Sequence, residues 1–391
     1  MRSVELFAGA GGLAVGMSNA GFHPAVVIEW NKDARDTLDR NKRHIVPARH
    51  GWSLFGDDVK KFDYRQLSDV MLVSGGPPCQ PFSMGGKHKG QMDTRDMFPQ
   101  AVRAVRELRP KAFIFENVKG LMRQTFASYF EYIILQLTHP SFTRREDESW
   151  QEHRIRLERH HTSKREQPEY NVVFRLLNAA NYGVPQRRER VFFVGFRSDL
   201  GIEWSFPDET HSEISLLRSQ WVTGDYWERH KVSTRKRPQL AGRLNSRVEG
   251  LRASLDLSGV CSPWQTVRDA IGDLPDPEKG FSNGVPDHVF NPGARSYAGH
   301  TGSPLDEPAK TLKAGDHGVP GGENMLTRAD GSVRYFTVRE AARLQTFPDS
   351  YTFCGAWTEA MRQLGNAVPV HLAEVVARSV ADTLRTTGKG R

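Results

Sequence analysis

The chain has 391 residues and a formal net charge of +8, and at roughly 100–200 residues per domain this length predicts two domains. Its three cysteines lie far apart and outside any Cys-x-x-Cys pair, which argues against a disulfide framework or a zinc site and fits a reducing compartment. No run approaches the roughly 20 apolar positions of a membrane helix, and the basic excess is compatible with nucleic acid without requiring it.

The first third of the chain alternates short apolar runs with helical patterns. Strands are predicted over 3–7, 25–29, 70–74 and 111–115, with helices over 12–20, 33–42, 98–108 and 129–137. Two more strands are predicted over 172–177 and 190–196. Glu5 and several glycines interrupt the apolar N-terminus, so it is interpreted as a strand entering a loop and not as a signal peptide. This alternation is typical of a parallel, doubly wound α/β sheet.

The later segments follow a different rhythm. Residues 144–166 are dense in charge and indicate either a solvated helix or a mobile insertion. Residues 211–260 look like a second insertion, with a basic cluster from Arg229 to Arg237. Residues 275–331 are rich in Gly, Pro, Asn and Asp, which predicts a loop-rich domain that presents binding loops. Helical patterning returns over 337–345 and 367–383, and we expect the C-terminal helix to pack on the first domain.

A glycine-rich turn follows the first predicted strand and opens a helix. Glycines in Phe7-Ala8-Gly9-Ala10-Gly11-Gly12 allow a ligand to approach the backbone closely, and Glu29 ends the next strand, where an acid commonly accepts from ribose hydroxyls. The loop lacks a true Gly-x-Gly-x-x-Gly and a following Lys-Ser/Thr, which disfavours a dinucleotide or a nucleoside triphosphate. S-adenosylmethionine remains possible, as does a tight turn without any ligand.

A cysteine follows the third strand in an unusually restricted loop. Three prolines and two glycines surround Cys79 within residues 75–83, which fixes the backbone path. Glu116 follows the next predicted strand, so neighbouring parallel strands would bring both side chains to one rim of the sheet. A thiol beside a carboxyl group indicates a nucleophile with an acid.

Six segments then resemble, in order, the motifs of the DNA cytosine-5 methyltransferases of bacterial restriction-modification systems. These are residues 5–17, 75–83, 116–118, 186–190, 339–348 and 365–369. The resemblance implies that Cys79 attacks carbon 6 of a flipped-out cytosine, while Glu116 protonates or hydrogen-bonds N3. It also implies that Arg188 and Arg190 contact the base, the cysteine loop or the adjacent phosphate.

The resemblance implies S-adenosylmethionine as the cofactor and no metal. Its expected contacts are Phe7, Gly9, Gly11 and Leu13 on the methionine side, Glu29 at the ribose, Trp30, Asp58 and Val59 at the adenine, Pro78, and the closing residues Asn366, Ala367 and Val368. Asp57 is an alternative to its neighbour Asp58.

The implied fold is a Rossmann-like methyltransferase domain over 1–207 and 334–391, with a target recognition domain over 208–333 that carries the insertion at about 211–260. Residues expected at the DNA are Gln80, Ser83, Arg295, His300, Thr311 and Lys313, with Lys310 and His317 as further candidates. Arginine reading guanine is the commonest specific contact, which favours Arg295. The basic cluster from Arg229 to Arg237 either contacts phosphates or keeps the insertion soluble.

The implied partner is double-stranded DNA, together with a cognate restriction endonuclease that acts on the same site without direct contact. We expect a monomer without a membrane partner, in the bacterial cytoplasm and at the nucleoid. Two alternatives remain open at this stage. One is a tRNA cytosine-5 methyltransferase, although that branch's Cys-Phe-Thr signature is replaced by Ser141-Phe142-Thr143. The other is a catalytically silent DNA-binding regulator, against which the intact Cys79, Glu116 and Arg188 argue.

Overall fold

The structure is a computed structural model that describes residues 1–47, 51–78, 96–163, 167–253, 261–280, 284–297, 301–315 and 324–387. The chain forms two compact units. The first contains residues 1–177, 189–207 and 373–391, and the second contains 178–188 and 208–372. Within the described ranges, no helix has the length and apolar character needed to cross a membrane.

Strands and α-helices occur in both units. The strands are β1 (Arg2–Leu6), β2 (His23–Ile28), β3 (Ser53–Phe55), β4 (Leu72–Gly75), β5 (Ala112–Val118), β6 (Tyr170–Asn178), β7 (Glu189–Arg197), β8 (His211–Ser212), β9 (Ser262–Pro263), β10 (Ser303–Pro304), β11 (Met325–Thr327) and β12 (Val333–Tyr335). The α-helices are α1 (Gly12–Asn19), α2 (Lys32–Arg40), α3 (Phe98–Leu108), α4 (Ala127–Thr138), α5 (Trp150–His161), α6 (Glu213–Arg218), α7 (Asp225–Arg229), α8 (Asn245–Ala253), α9 (Val267–Ile271), α10 (Val338–Leu344), α11 (Trp357–Asn366) and α12 (Val370–Thr387).

The first unit is built on a seven-stranded sheet with the order β3-β2-β1-β4-β5-β7-β6. The pairs from β3 to β5 are all parallel, which confirms the doubly wound α/β fold. The prediction of a parallel sheet is wrong at β7, which pairs antiparallel with β5. Residues 179–188 between β6 and β7 hold only a short 3-10 turn, which is too little chain for a helical crossover.

The core of the first unit surrounds the central strands. β4 and β5 are buried along nearly their whole length because helices cover both faces of the sheet. Phe113 and Phe115 stack on each other at 5.2 Å, and Phe98 of α3 meets Phe193 of β7 edge-on at 5.8 Å. Such packing makes the sheet a rigid base, so the loops at the strand ends have fixed starting points.

Residues 144–166 were expected to be a solvated helix or an insertion. Their described part forms α5, which begins with a capping box between Ser149 and Glu152. Trp150 packs edge-on against Tyr129 of α4 at 5.5 Å, so one face of the helix is docked.

The C-terminal helix α12 belongs mostly to the first unit. The indole N–H of Trp204 donates to the Ser379 hydroxyl at 3.0 Å, and the Arg385 guanidinium donates to the Ala20 carbonyl at 3.0 Å. These bonds hold α12 to the end of α1 and to the segment that follows β7.

The second unit differs from the predicted recognition domain in two respects, since residues 178–188 and 334–372 also group with it, and the second of these differences has a clear structural cause. The reason lies in Arg339, which is fully buried and donates to the carbonyls of Pro286 at 3.0 Å and Tyr351 at 2.8 Å. His288 is hydrogen-bonded to Thr337 at 2.9 Å. The loop-rich segment is thereby fastened to α10.

The described part of the predicted insertion, residues 211–253, folds into α6, α7 and α8 around the buried Trp227. Three members of the basic cluster serve this packing, among them His230, which is hydrogen-bonded to Asp269 at 2.9 Å. Arg229 pairs with Asp269 at 2.8 Å, and the Arg237 guanidinium lies 5.8 Å from the centre of the Trp227 ring. Arg235 and Lys236 are exposed.

Candidate active site

The predicted cofactor loop lies at the carboxyl end of β1. Phe7, Gly9 and Gly11 all have positive φ angles, of 54°, 53° and 83°. A side chain added at Gly9 would meet nothing within 4 Å, so open space faces this backbone. Positive φ is costly for Phe7, which indicates that the surrounding structure enforces the loop's path. Leu13 is buried in the first turn of α1.

Glu29 ties this loop to the end of β2. One carboxylate oxygen accepts from the Gly9 backbone N–H at 2.8 Å, and the other accepts from the Asn31 N–H at 2.8 Å. The side chain is nearly buried, whereas the next residue, Trp30, is 74% exposed. The predicted ribose acid is therefore placed beside the glycine loop, and the ring predicted to stack on adenine is the next residue in the chain, with most of its surface exposed.

The two candidate aspartates after β3 have different surroundings. Asp57 forms an ion pair with Lys61 at 2.9 Å. Asp58 instead caps a short turn by accepting from the Lys60 N–H at 3.0 Å, and Val59 is buried behind it. Because the lysine neutralises Asp57, the geometry favours Asp58 as the residue that reads a ligand.

Two hydrogen bonds hold the start of the loop after β4, one from β5 and one from the residue that precedes α3. The Asn117 amide, at the end of β5, donates to the Pro77 carbonyl at 2.9 Å. The Met97 N–H donates to the Pro78 carbonyl at 3.0 Å, so the two ends of the segment between residues 78 and 97 are joined. Pro78 is exposed. Cys79, Gln80 and Ser83 lie outside the described residues.

Glu116 lies beside the start of this loop. A side chain added at Gly76 would lie 3.3 Å from Glu116 Oε2, which places the carboxylate beside the residue three positions before Cys79. Its other oxygen, Oε1, lies 2.8 Å from Arg190 Nε, and both side chains are nearly buried. The structure thus brings together Glu116, Arg190 and the entrance to the cysteine loop.

The antiparallel β5–β7 pairing explains the contact of Arg190 with Glu116. Arg190 lies opposite Val118, so Glu116 is its diagonal neighbour on the same face of the sheet. Burial lowers the pKa of the Arg190 guanidinium, and the charge of Glu116 opposes that shift. Guanidinium groups nevertheless stay protonated in proteins, so the pair is a buried ion pair.

Arg188 was predicted to contact the base, the cysteine loop or a phosphate. It belongs to the second unit, where it is fully buried and donates to the Leu312 carbonyl at 2.9 Å and the Gly365 carbonyl at 2.7 Å. The contacts of Arg188 therefore join two backbone segments within the second unit. A direct contact with substrate stays a prediction.

The segment 309–313 is bonded along its length to residues 185–188. The Gln186 side chain accepts from the Leu312 N–H at 3.0 Å and donates to the Leu344 carbonyl at 3.2 Å. The Thr311 hydroxyl donates to the Arg187 carbonyl at 2.7 Å. Sequence reasoning did not assign these roles, although the Gln-x-Arg-x-Arg pattern contains Gln186.

The remaining predicted DNA and cofactor residues lie in the second unit. Lys313 and Arg295 are exposed, and the Lys313 backbone is bonded twice to the Asn324 amide, at 2.9 and 2.8 Å. Asn366 is exposed, whereas Ala367 and Val368 are buried. Lys310 is bonded to Thr301 at 2.7 Å. His300 and His317 lie outside the described residues.

The residues at the strand ends fit S-adenosylmethionine. Open backbone at Gly9 suits the methionine part, Glu29 is an acceptor for ribose hydroxyls, and the exposed Trp30 ring suits a purine. Among the described residues, no cluster of His, Cys, Asp or Glu could hold a metal ion. An open α/β sheet with this rim fits the class of S-adenosylmethionine-dependent methyltransferases.

The chain belongs to the C-5 cytosine-specific DNA methylase family, whose model matches residues 1–143 and 154–382. It is similar to the Type II methyltransferase M.AplI of Arthrospira platensis, with 30% identity over 383 residues, 97% of this chain and 86% of that protein. It is also similar to the Type II methyltransferase M.NgoMIV of Neisseria gonorrhoeae, with 29% identity and 98% of both chains covered. The protein is thus a DNA cytosine-5 methyltransferase that uses S-adenosylmethionine.

Solved structures of similar proteins support the same fold. One is a putative DNA modification methyltransferase from an E. coli prophage, with a TM-score of 0.58, 20% identity, and coverage of 98% of this chain and 99% of that one. Another is the S. pombe Dnmt2 methyltransferase, with a TM-score of 0.55, 18% identity and 99% coverage of both chains.

Proposed function

We propose that this enzyme methylates carbon 5 of one cytosine within a specific short sequence of double-stranded DNA, through a covalent bond between Cys79 and carbon 6. The observation that carries the proposal is the junction of β4 and β5. There the Asn117 amide holds the Pro77 carbonyl at 2.9 Å, and Glu116 lies beside Gly76. The acid and the entrance to the cysteine loop therefore share one rim of a rigid sheet.

The proposed roles follow from the chemistry of the cytosine ring. Carbon 5 is a poor nucleophile while the ring is aromatic. Addition of the Cys79 thiolate to carbon 6 breaks the C5–C6 double bond. Glu116, which must take up a proton when the base binds, then donates a hydrogen bond or that proton to N3 and so stabilises the developing negative charge. Carbon 5 is then enamine-like and nucleophilic. Bound S-adenosylmethionine supplies an electrophilic methyl group. Loss of the carbon 5 proton and release of Cys79 restore the aromatic ring.

Arg190 serves this chemistry through Glu116. Its guanidinium bonds one carboxylate oxygen, Oε1, and the other oxygen faces Gly76. General acid–base catalysis requires the carboxyl group to be held in one orientation toward the reacting atom, and the bond from Arg190 provides this. Arg188 is proposed to act at a distance as well, by holding the Leu312 and Gly365 carbonyls.

The substrate proposal adds base flipping and host protection. A thiolate cannot reach carbon 6 of a stacked, paired cytosine, so the target nucleotide must leave the duplex. The relatives M.AplI and M.NgoMIV carry the name Type II methyltransferase. This supports a role in a restriction-modification system, in which methylation blocks a cognate endonuclease at the same sequence.

Trapping with 5-fluorocytosine tests the covalent mechanism. Fluorine at carbon 5 cannot leave as a proton does, so an enzyme that adds Cys79 to carbon 6 and transfers the methyl group stays linked to the DNA. We expect a denaturation-resistant complex with fluorinated duplex and S-adenosylmethionine, and none with the Cys79→Ser variant. Equal trapping of Cys79→Ser, or none by a wild type that methylates unmodified DNA, would overturn the covalent mechanism.

A further inference from the structure

A cavity of about 490 Å³ lies within the second unit, apart from the residues assigned to methyl transfer. This volume falls in the range of about 300–1,000 Å³ that is common for small-ligand sites. The predicted insertion forms one wall of the cavity, and the strand-and-loop region near Trp264 and residues 304–308 forms the other. We call it the tryptophan cavity, because Trp221, Trp227 and Trp264 line it.

The three indoles have different surroundings. Trp227 and Trp264 are buried, and their ring N–H groups donate to the Gln220 carbonyl at 2.6 Å and to Asn181 Oδ1 at 2.9 Å. Trp221 is only half-buried and meets Trp227 edge-on at 5.6 Å. Two indoles therefore form a fixed wall, and the third is open to a planar ligand.

The backbone at Trp221 is itself unusual. Residues Ser219–Thr223 form a π-helix that ends at Gly224 with a φ of 87°. Short π-helical segments are rare and occur frequently at functional sites. In this protein the segment supplies both Gln220 and Trp221 to the cavity wall.

The charges around the cavity favour an anion. Its three carboxylates are each paired with a lining arginine: Glu213 with Arg247 at 2.9 Å, Asp306 with Arg268 at 2.6 Å, and Glu307 with Arg187. Lys236 and Arg243 also line the cavity, and neither is paired with a carboxylate in the part of the chain that the structure describes. Positive charge is therefore left over beside the indoles.

Arg187 connects this cavity to the predicted DNA surface. Its side chain lines the cavity 5.8 Å from the centre of the Trp264 ring, and its Nε is buried without a hydrogen-bond partner among the described residues. Its backbone carbonyl accepts from Thr311 at 2.7 Å. The cavity wall is thus continuous with the segment expected near the target base.

We propose that the tryptophan cavity binds a nucleotide, with Trp221 stacked on an unpaired base and Lys236 and Arg243 at its phosphate. Indoles accept any base face, and cations beside them attract phosphate, which is the combination that proteins use for unpaired nucleic acid. The nucleotide comes either from an unpaired stretch of DNA or from the pool of free mononucleotides. This site is additional to the target-cytosine site and does not depend on the covalent mechanism.

Quenching of tryptophan fluorescence tests the proposal directly. The wild type is titrated with deoxyadenosine monophosphate in one arm and with a mixed-sequence single-stranded oligonucleotide in the other. We expect saturable quenching in at least one arm, and that arm identifies the source of the nucleotide. Since the readout is binding, it also works in Cys79→Ser, so failure of the methylation mechanism would not remove it.

Three variants and one control variant locate the binding signal. Trp221→Ala should weaken binding by about five- to a hundredfold, the usual effect of losing one base-stacking ring, and Trp221→Phe should retain most of the affinity. Lys236→Ala/Arg243→Ala should also weaken binding. Arg235→Ala is the matched control, because Arg235 is the exposed neighbour of Lys236 but does not line the cavity. Absence of quenching in both arms, or equal affinity of Trp221→Ala and the wild type, would overturn the proposal.

Discussion

Arg190 Nε lies 2.8 Å from Glu116 Oε1, and both side chains are nearly buried where β5 ends and β7 begins. The two residues are 74 positions apart in the chain and meet because β5 and β7 run antiparallel, with Arg190 opposite Val118. Arg190, from the Gln-x-Arg-x-Arg motif, thereby orients Glu116, the proposed catalytic acid. The proposed role of Glu116 in catalysis depends on this pair.

Replacing the acid should affect turnover more than binding. In Glu116→Gln, the group that acts at N3 is lost while the shape is kept, so we expect kcat to fall by about 10²- to 10⁴-fold, the usual contribution of acid–base catalysis. The affinity for S-adenosylmethionine, measured by calorimetry, should change little. Glu189→Gln is the matched control, since Glu189 forms an exposed pair with Lys119 at 2.8 Å. A Glu116→Gln enzyme with near-normal kcat would show that Glu116 is not the acid.

Replacing the arginine should affect stability as well as activity. Arg190→Met leaves the Glu116 carboxylate buried without its cation, and breaking a buried pair from one side costs about 3–5 kcal/mol. Urea denaturation should show this loss. The double variant Arg190→Met/Glu116→Gln should regain much of the stability but none of the activity. If the double variant is no more stable than Arg190→Met, the two residues are not energetically coupled.

Glu29 should control cofactor affinity. Its two carboxylate oxygens accept from the Gly9 and Asn31 N–H groups, so Glu29→Gln keeps an acceptor for only one of them, and that remaining bond is weaker because the amide lacks the negative charge. We expect the Kd for S-adenosylmethionine to rise roughly tenfold or more, since hydrogen bonds to charged groups contribute about 1.5–3 kcal/mol. The exposed Asp39, on the neighbouring helix, provides the control variant Asp39→Asn. Unchanged cofactor affinity in Glu29→Gln would count against the assignment.

Glu5 should make stability depend on pH. Burial raises its pKa from 4.5 to about 8, against the opposing hydrogen bond from Ser74. Between these values the unfolded chain loses a proton that the folded protein keeps, so stability falls as pH rises from about 4.5 to 8 and then levels off. At about 1.4 kcal/mol per pKa unit, the loss is on the order of 5 kcal/mol.

The variant Glu5→Gln isolates this contribution. It should remove that part of the pH dependence and be more stable than the wild type near pH 8. Urea unfolding at several pH values gives the comparison. Parallel pH profiles for the two proteins would show that Glu5 is not protonated in the folded state.

Gly365 should tolerate no side chain. A Cβ there would collide with the backbone of Ala314, and the Gly365 carbonyl accepts from Arg188 at 2.7 Å. Gly365→Ala should therefore lower the free energy of unfolding by about 1–3 kcal/mol, as overpacking does. Gly250→Ala, in α8 with open space around it, is the control and should not destabilise the protein. Thermal unfolding of both variants distinguishes them, and equal stability would exclude close packing at Gly365.

The sequence predicts features whose determinants are local. The bounds of α3, 98–108, are as predicted, because its apolar spacing is strongly helical. Gly9 and Glu29 were both predicted to contact the cofactor, and the structure joins them at 2.8 Å because a strand–helix–strand unit brings the ends of its two strands together.

Long-range relationships were not predictable in the same way. The direction of β7 depends on the short connection after β6, and no residue within β7 indicates it. The burial of Arg188 depends on Gly365, which lies 177 positions away in the chain. An arginine within a motif is equally compatible with substrate contact and with a structural role, and only its three-dimensional neighbours distinguish them.

Expression in a host that lacks cytosine methylation, followed by bisulfite sequencing of the host DNA, tests the central claim most directly. We expect 5-methylcytosine at one position of one short sequence in cells that make the wild-type protein, and none in cells that make Cys79→Ser. Complete conversion of every cytosine in the presence of folded wild-type protein would contradict methylation of DNA, and persistent methylation by Cys79→Ser would contradict Cys79 as the nucleophile.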